Sequence, residues 1–325
     1  MQSVEKIGIV LATYNPNPEY FEKQINSIKN QSYKNWICHI VDDCSLTKYQ
    51  VGIKKLIAYD PRFICHFHSD NLNHYYNFER GLQYCVEDQS ITAIALADQD
   101  DIWRSDKLTV LLEKLRLESA VLVHSDLELI DSHDKTTHPS AWEFEGRKPE
   151  KLSPQFLLLR NVITGCSLLF CTSLLPQILP FPPQSQIGWY HDWWIALVAA
   201  HQGKIAHIHQ PLVRYRIHNA NNVGVVQDSG KLHRELLHLF RKNFQIAGNG
   251  YVVHRDLSQA FYNRFYAEIN QSSYSNPFDD QKIDFGVNIF RLFYQSLAIG
   301  YNSEGVALRV GLLKIIFDIK KILQI

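Results

Sequence analysis

The stretch Ile94-Ala95-Leu96-Ala97-Asp98-Gln99-Asp100-Asp101-Ile102-Trp103 constrains the chain most: an apolar run stops abruptly in three carboxylates within four positions. A short apolar run of this kind reads as a buried strand. Carboxylates at its end sit where the chain leaves the sheet, and open α/β folds place ligands there. Like charges so close raise one another's pKa unless a cation lies between them. Carboxylate oxygens are the ligands that Mg2+ and Mn2+ prefer. A solvated acidic turn ahead of a helix remains the plainer alternative, since a helix N-terminus also favours negative charge.

Strand and helix alternate around this stretch. Ile7–Ala12 is an apolar run cut by Thr13-Tyr14-Asn15-Pro16-Asn17-Pro18, a loop by its prolines and asparagines. Helical spacing of Phe21, Ile25 and Ile28 predicts a helix over 19–30. Trp36–Val41 is a second strand, ending in Asp42-Asp43-Cys44-Ser45. A helical pattern over 54–59, a strand over 63–68 and a helix over 78–86 lead back to the opening strand. This order argues a mostly parallel sheet with crossover helices. Parallel strands put Asp42, Asp43, Asp98 and Asp100 at one edge, where they can line one crevice. No G-x-G-x-x-G and no Walker A loop is present, which speaks against a dinucleotide fold of that type or a P-loop site.

Composition narrows the class further. The chain has 325 residues and a formal net charge of zero, so no overall field recruits nucleic acid or an anionic membrane. Its six cysteines form no C-x-x-C pair, and several lie in apolar runs as small hydrophobes, a pattern that suits a reducing compartment. No signal-peptide pattern and no uninterrupted apolar stretch of about 18 residues occurs. A cytoplasmic location is expected, with peripheral contact at the inner face of a membrane left open.

Val10-Leu11-Ala12-Thr13-Tyr14-Asn15, Gln24-Ile25-Asn26-Ser27-Ile28 with Gln31-Ser32-Tyr33, and Ile40-Val41-Asp42-Asp43-Cys44-Ser45 resemble the opening of family 2 inverting glycosyltransferases. Asp98-Gln99-Asp100-Asp101-Ile102-Trp103 with Lys107-Leu108 looks like the D-x-D element of that family. The order of His124-Ser125-Asp126, Asn161–Cys166, His191-Asp192-Trp193-Trp194 and Tyr215–Asn221 is similar to bacterial rhamnosyltransferase-like members. The resemblance covers about residues 5–224. It implies a GT-A fold, an α/β mixed sheet flanked by helices, together with a nucleotide-sugar donor and a divalent metal, Mg2+ or Mn2+. By position, Thr13 and Asn15 border the nucleotide, Asp42 or Asp43 meets the base, Asp98 faces ribose or metal, and Asp100 binds the metal. Asp101 is read as a cap on the following helix. Family members often carry a glycine near Asn71-Leu72; this chain has Asn73, which tolerates positive φ better than other non-glycine residues.

The second half of the site follows later in the chain. Leu108, Leu111, Leu112 and Leu115 share one face of a helix over 107–117, and a strand over 120–123 ends in His124-Ser125-Asp126. His124 reads as a hydrogen-bonded core histidine, and Asp126, following a strand end, as a substrate contact. Residues 131–150 read as a loop or insertion. Gly165 suits a close approach of backbone to ligand. Asp192, among Trp189, Trp193 and Trp194, is the candidate base, because aromatic walls desolvate a carboxylate and raise its basicity; an N-cap role for it stays open. Trp103, Asp126, Trp189, His191 and Trp193 are assigned to the acceptor, with sugar stacking on the aromatic rings implied by the resemblance. Arg216 and His218 share one side of an extended segment and suit a diphosphate, with His218 an alternative metal ligand.

The expected organisation is a glycosyltransferase domain over 1–225 and a C-terminal helical region over 226–325. In that region Leu232, Leu236, Leu239 and Phe240, then Phe261, Phe265 and Ile269, and the apolar segment 306–325 suggest amphipathic helices for packing, homodimerisation or a membrane surface. The function read from these features is metal-dependent, inverting transfer of a sugar to a saccharide or lipid-linked acceptor in cell-surface polysaccharide synthesis. On resemblance alone, the donor is a deoxyhexose nucleotide such as dTDP-rhamnose. Two rivals use the same residues: a nucleotidyltransferase or phosphohydrolase on the acidic metal site, and a non-catalytic carbohydrate-binding relative.

Overall fold

The structure, a computed structural model, describes residues 5–147, 149–150, 152–158, 160–184, 189–218 and 244–266. Asn219–Asn221, the expected helix around Leu232–Phe240, Ile269 and the segment 306–325 lie outside the described residues. The chain divides into two compact units. The first comprises Met1–Glu150, Ile163–Phe181 and Gln202–Val226; the second comprises Lys151–Val162, Pro182–His201 and Gln227–Ile325.

The first unit is built on a mixed sheet. Its strands are β1 (Lys6–Thr13), β2 (Trp36–Asp42), β3 (Phe63–Phe67), β4 (Ile91–Ala97), β5 (Ile102–Trp103), β6 (Leu122–Ile130), β7 (Thr136–His138), β8 (Leu168–Cys171) and β9 (Ile205–Arg216). They run in the order β3-β2-β1-β4-β8-β6-β9-β5, with β7 on β6. β1 to β4 are mutually parallel, as their alternation with helices predicts. The later strands turn the sheet mixed: β8 is antiparallel to both β4 and β6, whereas β6 and β9 are parallel.

Helix α1 (Pro18–Lys29) starts where sequence chemistry dictates: the Asn17 side chain accepts from the amides of Glu19 and Tyr20, and Pro18 occupies the first turn. Its Phe21, Ile25 and Ile28 are buried with Ile7, Ile9 and Leu11 of β1. Ile53 of α2 (Thr47–Ile57) and the leucine stripe of α4 (Lys107–Leu117) join the same core. The intervening β1 residues, Gly8 and Val10, point to the other face. There α3 (Asn73–Glu87) lies so close that a Cβ on Gly81 would meet Val10 Cγ1 at 2.1 Å. Only glycine permits that approach.

Three expectations about elements change. β6 does not end at Val123 but runs on through His124, Ser125 and Asp126 to Ile130, because Leu127 and Leu129 join Val123 in the core and pairing with β9 continues to Ile130. Residues 131–150 contain β7 and the short helix α5 (Ala141–Glu145), capped by Ser140, rather than loop alone. Helix α4 begins only at Lys107, so Asp101 does not cap it. Between them Ile102-Trp103 pairs with Arg214 and Val213 of β9.

In the second unit, the helix His191–Gln202 buries Trp194, Ile195, Leu197 and Val198. The described part of the C-terminal region is the helix Phe244–Phe265, in which Leu257 and Phe261 are buried. No described helix is long and apolar enough to cross a membrane.

Candidate active site

The C-terminal ends of β1, β2 and β4 are tied together at one edge of the sheet. Asp43 N donates to Thr13 O at 2.9 Å. Thr13 Oγ1 and Tyr14 N both donate to Gln99 Oε1, each at 2.9 Å. Asn15 adopts a left-handed φ of 43°, its N donates to Ser45 Oγ at 2.7 Å, and its Oδ1 accepts from Leu46 N at 2.9 Å. Thr13 and Asn15 are therefore loop ties at this edge. Gln99, the middle residue of the D-x-D stretch, is the clamp between β1 and β4.

Asp42 and Asp43 differ in what they leave open. Asp42 is fully buried; its Oδ2 accepts from Ser45 N at 2.9 Å and Gln50 Nε2 at 3.2 Å, while Oδ1 has no partner among the described residues. Asp43 Oδ1 accepts from Leu72 N at 2.9 Å and Arg80 Nη1 at 3.4 Å. Burial pushes the Asp43 carboxyl up, against the pull of the Leu72 amide and Arg80. The turn expected at Asn73 forms, with φ of 71°.

Beyond β4, ligand atoms of Asp98, Asp101 and Cys166 lie within 4.8 Å of one another. Asp101 is buried and accepts from Arg216 N at 3.0 Å through Oδ1, and its carboxyl is also paired with the Cys166 thiol. Burial, then Asp100 and Asp98, push its carboxyl well above the usual range. Asp100 is half-buried, and its Oδ2 lies 2.7 Å from His218 Nε2. His218 in turn stacks on Tyr20, with ring centroids 5.8 Å apart.

Two buried cations back this cluster. Lys107 is fully buried, with Nζ donating to Cys166 O at 2.6 Å and lying 3.1 Å from the Trp103 ring centroid. Burial lowers its pKa to about 7, against the opposing pull of Cys166, Asp101 and Asp98. The sequence signal for this lysine is its i, i+4, i+8 spacing with Leu111 and Leu115, which places it on the apolar face of α4. Arg216 is also fully buried: Nε donates to Asp100 O at 2.8 Å, Nη1 to Asp131 O at 3.0 Å, and Nη1 lies 2.5 Å from Asp134 Oδ1. Its guanidinium covers the Tyr20 ring at 4.2 Å. The expectation that Arg216 and His218 share one strand face is corrected, since β9 ends at Arg216. Arg216 braces the acidic loop from within, and His218 faces Asp100.

The donor set fits a hard divalent ion. Asp98 and Asp100 bring two carboxylates to the turn that holds buried Asp101, and like charges gathered this closely call for a cation. Oxygen ligands of Asp98 and Asp100 suit Mg2+ or Mn2+. Burial keeps the Cys166 thiol protonated, and a soft neutral thiol is no ligand for such an ion.

Several expected substrate contacts lie in the interior instead. Trp103 is buried under Lys107. Asp126 is buried with both oxygens engaged, accepting from Leu127 N at 2.7 Å, Trp142 N at 3.1 Å and the Ser140 hydroxyl. It anchors the start of α5 rather than a sugar. His124 is a core histidine as expected, but neither ring nitrogen has a hydrogen-bond partner among the described residues; burial lowers its pKa to about 3.

In the second unit, Asp192 lies in the first turn of the helix His191–Gln202 and is half-buried. Asn161 Nδ2 donates to its Oδ1 at 3.0 Å, which fixes the carboxylate. Trp189 and His191 are buried, so their rings pack inside this unit rather than presenting faces to an acceptor. Trp193 is half-buried; its Nε1 donates to Leu157 O, and its ring meets His254 edge-on at 5.6 Å.

Comparison with known proteins gives these residues a context. The family model described as "Glycosyl transferase family 2" matches residues 8–175. An uncharacterized glycosyltransferase of Nostoc sp. is 27% identical over 222 residues, covering 67% of this chain and 66% of that protein. A putative teichuronic acid biosynthesis glycosyltransferase of Bacillus subtilis is 26% identical over 164 residues, covering 49% of this chain and 59% of that protein. The chain thus spans less than two thirds of the length of either curated relative. Among solved structures, Staphylococcus aureus TarS 1–349 in complex with UDP-GlcNAc superposes with a TM-score of 0.53 at 13% identity, over 95% of this chain and 83% of that one. The mannosyltransferase PcManGT of Pyrobaculum calidifontis, in complex with GDP-Man and Mn2+, gives 0.51 at 11% identity, over 98% and 88%. At these identities the likeness is one of fold, and it agrees with the GT-A type arrangement expected from the sequence.

Proposed function

The chain belongs to glycosyl transferase family 2, and we propose that it is a metal-dependent, inverting enzyme that transfers a sugar from a nucleotide-diphosphate donor to a saccharide or lipid-linked saccharide hydroxyl. The observation that carries this reading is the acidic end of β4, where Asp98 lies beside Asp101 and Cys166 and His218 Nε2 stands 2.7 Å from Asp100 Oδ2. Complexes of fold neighbours with UDP-GlcNAc, and with GDP-Man and Mn2+, support a nucleotide-sugar donor and a divalent ion. The similarity to a putative teichuronic acid biosynthesis enzyme supports a role in cell-surface polysaccharide synthesis.

The residues divide the work as follows. Asp42 or Asp43, at the end of β2, meets the base. Asp98 and Asp100 would hold the ion, which would stabilise charge on the departing diphosphate. Asp192, held by Asn161, removes the proton of the acceptor hydroxyl as its oxygen bonds to the anomeric carbon. The bond from that carbon to the diphosphate breaks, and the nucleoside diphosphate leaves with the electron pair. Gln99 and Arg216 keep the acidic loop in place.

A panel of nucleotide sugars and nucleoside diphosphates, scanned for thermal stabilisation with and without Mn2+, tests this reading. A ligand that binds only the native chain adds about 2.7 kcal/mol of stability at a hundredfold excess over Kd. The proposal expects at least one such ligand, with a larger shift when Mn2+ is present. No shift with any of them would remove the basis for a transferase.

A further inference from the structure

The first turn of α1 carries an aromatic ring that the proposed mechanism leaves without a task. Tyr20 is half-buried, and its place is fixed from two sides. Its N donates to Asn17 Oδ1 at 3.4 Å, and the next residue, Phe21, is buried in the core. Its hydroxyl donates to Ser132 O at 3.2 Å, in the turn between β6 and β7. Lys23, one helical turn further on, ties α1 to the same turn through Asp134 Oδ2 at 2.7 Å.

Two residues that support the acidic loop meet this ring. The Arg216 guanidinium lies 4.2 Å from its centroid, and His218 stacks on it at 5.8 Å with an interplanar angle of 28°. They differ in what else holds them. Arg216 is fully buried, with its N bonded to Asp101 Oδ1 and its guanidinium to Asp100 O and Asp131 O. His218 is half-buried and lies two residues past the last ladder pair of β9, Ile130 with Arg216. Beyond the ladder, the direction of an imidazole is set by the side chains it packs against, and a stacked ring restricts its rotation.

We propose that Tyr20 is a positioning residue for the metal site, its ring holding the His218 imidazole so that Nε2 stays 2.7 Å from Asp100 Oδ2. The inference rests on the reading of Asp100 as a ligand of the divalent ion. Groups that orient a ligand or its hydrogen-bond partner govern metal affinity without touching the ion. Tyr20 acts in this way through His218, and the ring rather than the hydroxyl carries the effect.

Mn2+ titration followed by electron paramagnetic resonance tests this in Tyr20→Leu, Tyr20→Phe, His218→Ala and the double variant Tyr20→Leu/His218→Ala. Tyr20→Leu should weaken Mn2+ about fivefold, Tyr20→Phe should stay within about twofold, and Tyr20→Leu should cost less than about twofold once His218 is gone. A ring that only supports the fold would weaken both backgrounds alike. Equal losses with and without His218, or wild-type affinity in Tyr20→Leu, would overturn the proposal. A second readout needs no ion: in the metal-free chain the His218 ring-proton resonances should move in Tyr20→Leu, and unchanged resonances would overturn the proposal equally. Mn2+ binding that is absent, or indifferent to Asp100→Ala, would sink the metal reading and this inference with it. Binding that depends on Asp100 but not on Tyr20 would sink this inference alone.

Discussion

His218 Nε2 and Asp100 Oδ2 face each other at 2.7 Å, bringing the residue two beyond the end of β9 onto the carboxylate three beyond the end of β4. A divalent ion at this edge would be held by Asp100, with His218 placed to orient that carboxylate or to join it as a ligand. Asp100→Ala should therefore reduce Mn2+ affinity at least about a hundredfold, and His218→Ala about tenfold, both within the range that lost ligands and their supporting partners produce. Mn2+ titration followed by electron paramagnetic resonance measures both. Unchanged affinity in Asp100→Ala would remove this residue from the metal site.

Asp192 is fixed by Asn161 Nδ2 at 3.0 Å. As general base it should contribute about 10²–10⁴ to turnover. Asp192→Asn is expected to lower kcat at least about a hundredfold while donor affinity stays within twofold, and Asn161→Ala should cause a smaller loss. Near-normal kcat in Asp192→Asn would exclude the base role.

Asp101 gives a stability prediction with a definite sign. Burial raises its carboxyl pKa in the fold above the usual 3.8, so the folded chain holds a proton that the unfolded chain releases. Its contribution is most favourable below pH 3.8 and is lost as pH rises toward the raised value. Asp101→Asn keeps the oxygen that accepts from Arg216 N and removes the ionisable group. In EDTA it should stabilise the chain near pH 8 by about 1–3 kcal/mol, the cost of an uncompensated buried polar group. The gain should shrink at pH 4, and denaturant unfolding at the two pH values checks it.

His124 and His39 set an acid limit. Burial lowers their folded pKa values to about 3 and about 4, below the usual 6.5. Between these values the unfolded chain takes up protons that the fold refuses, so stability is complete above pH 6.5 and falls as pH drops toward 4. His124→Phe should flatten that fall without changing Mn2+ affinity; thermal melts from pH 7.5 to 4.5 measure it.

The first half of the fold was legible because its chemistry is local. Alternating apolar runs and helical stripes mark β1 to β4 with their crossover helices, and Asn17-Pro18 marks the start of α1. The carboxylate run after β4 is local in the same way and marks where that strand ends. What could not be read depends on distant partners. Nothing near Asp126 in sequence announces that Ser140 and Trp142 N will occupy its oxygens. Nothing near Arg216 announces that Asp131, Asp134 and Tyr20 will enclose its guanidinium. Asp101 reads as a cap until the pairing of Ile102-Trp103 with β9 carries the chain onward before α4 begins. Lys107 is the instructive case, since its spacing with Leu111 and Leu115 marks it as buried, yet charge alone suggests an exposed surface.

Release of nucleoside diphosphate from nucleotide sugars, followed in Mn2+ and in EDTA, tests the central claim most directly. The account predicts that at least one nucleotide sugar is cleaved, that release falls at least about a hundredfold in EDTA, and that Asp100→Ala in Mn2+ behaves like the wild type in EDTA. Release that proceeds equally in EDTA, or no release from any nucleotide sugar, would contradict it.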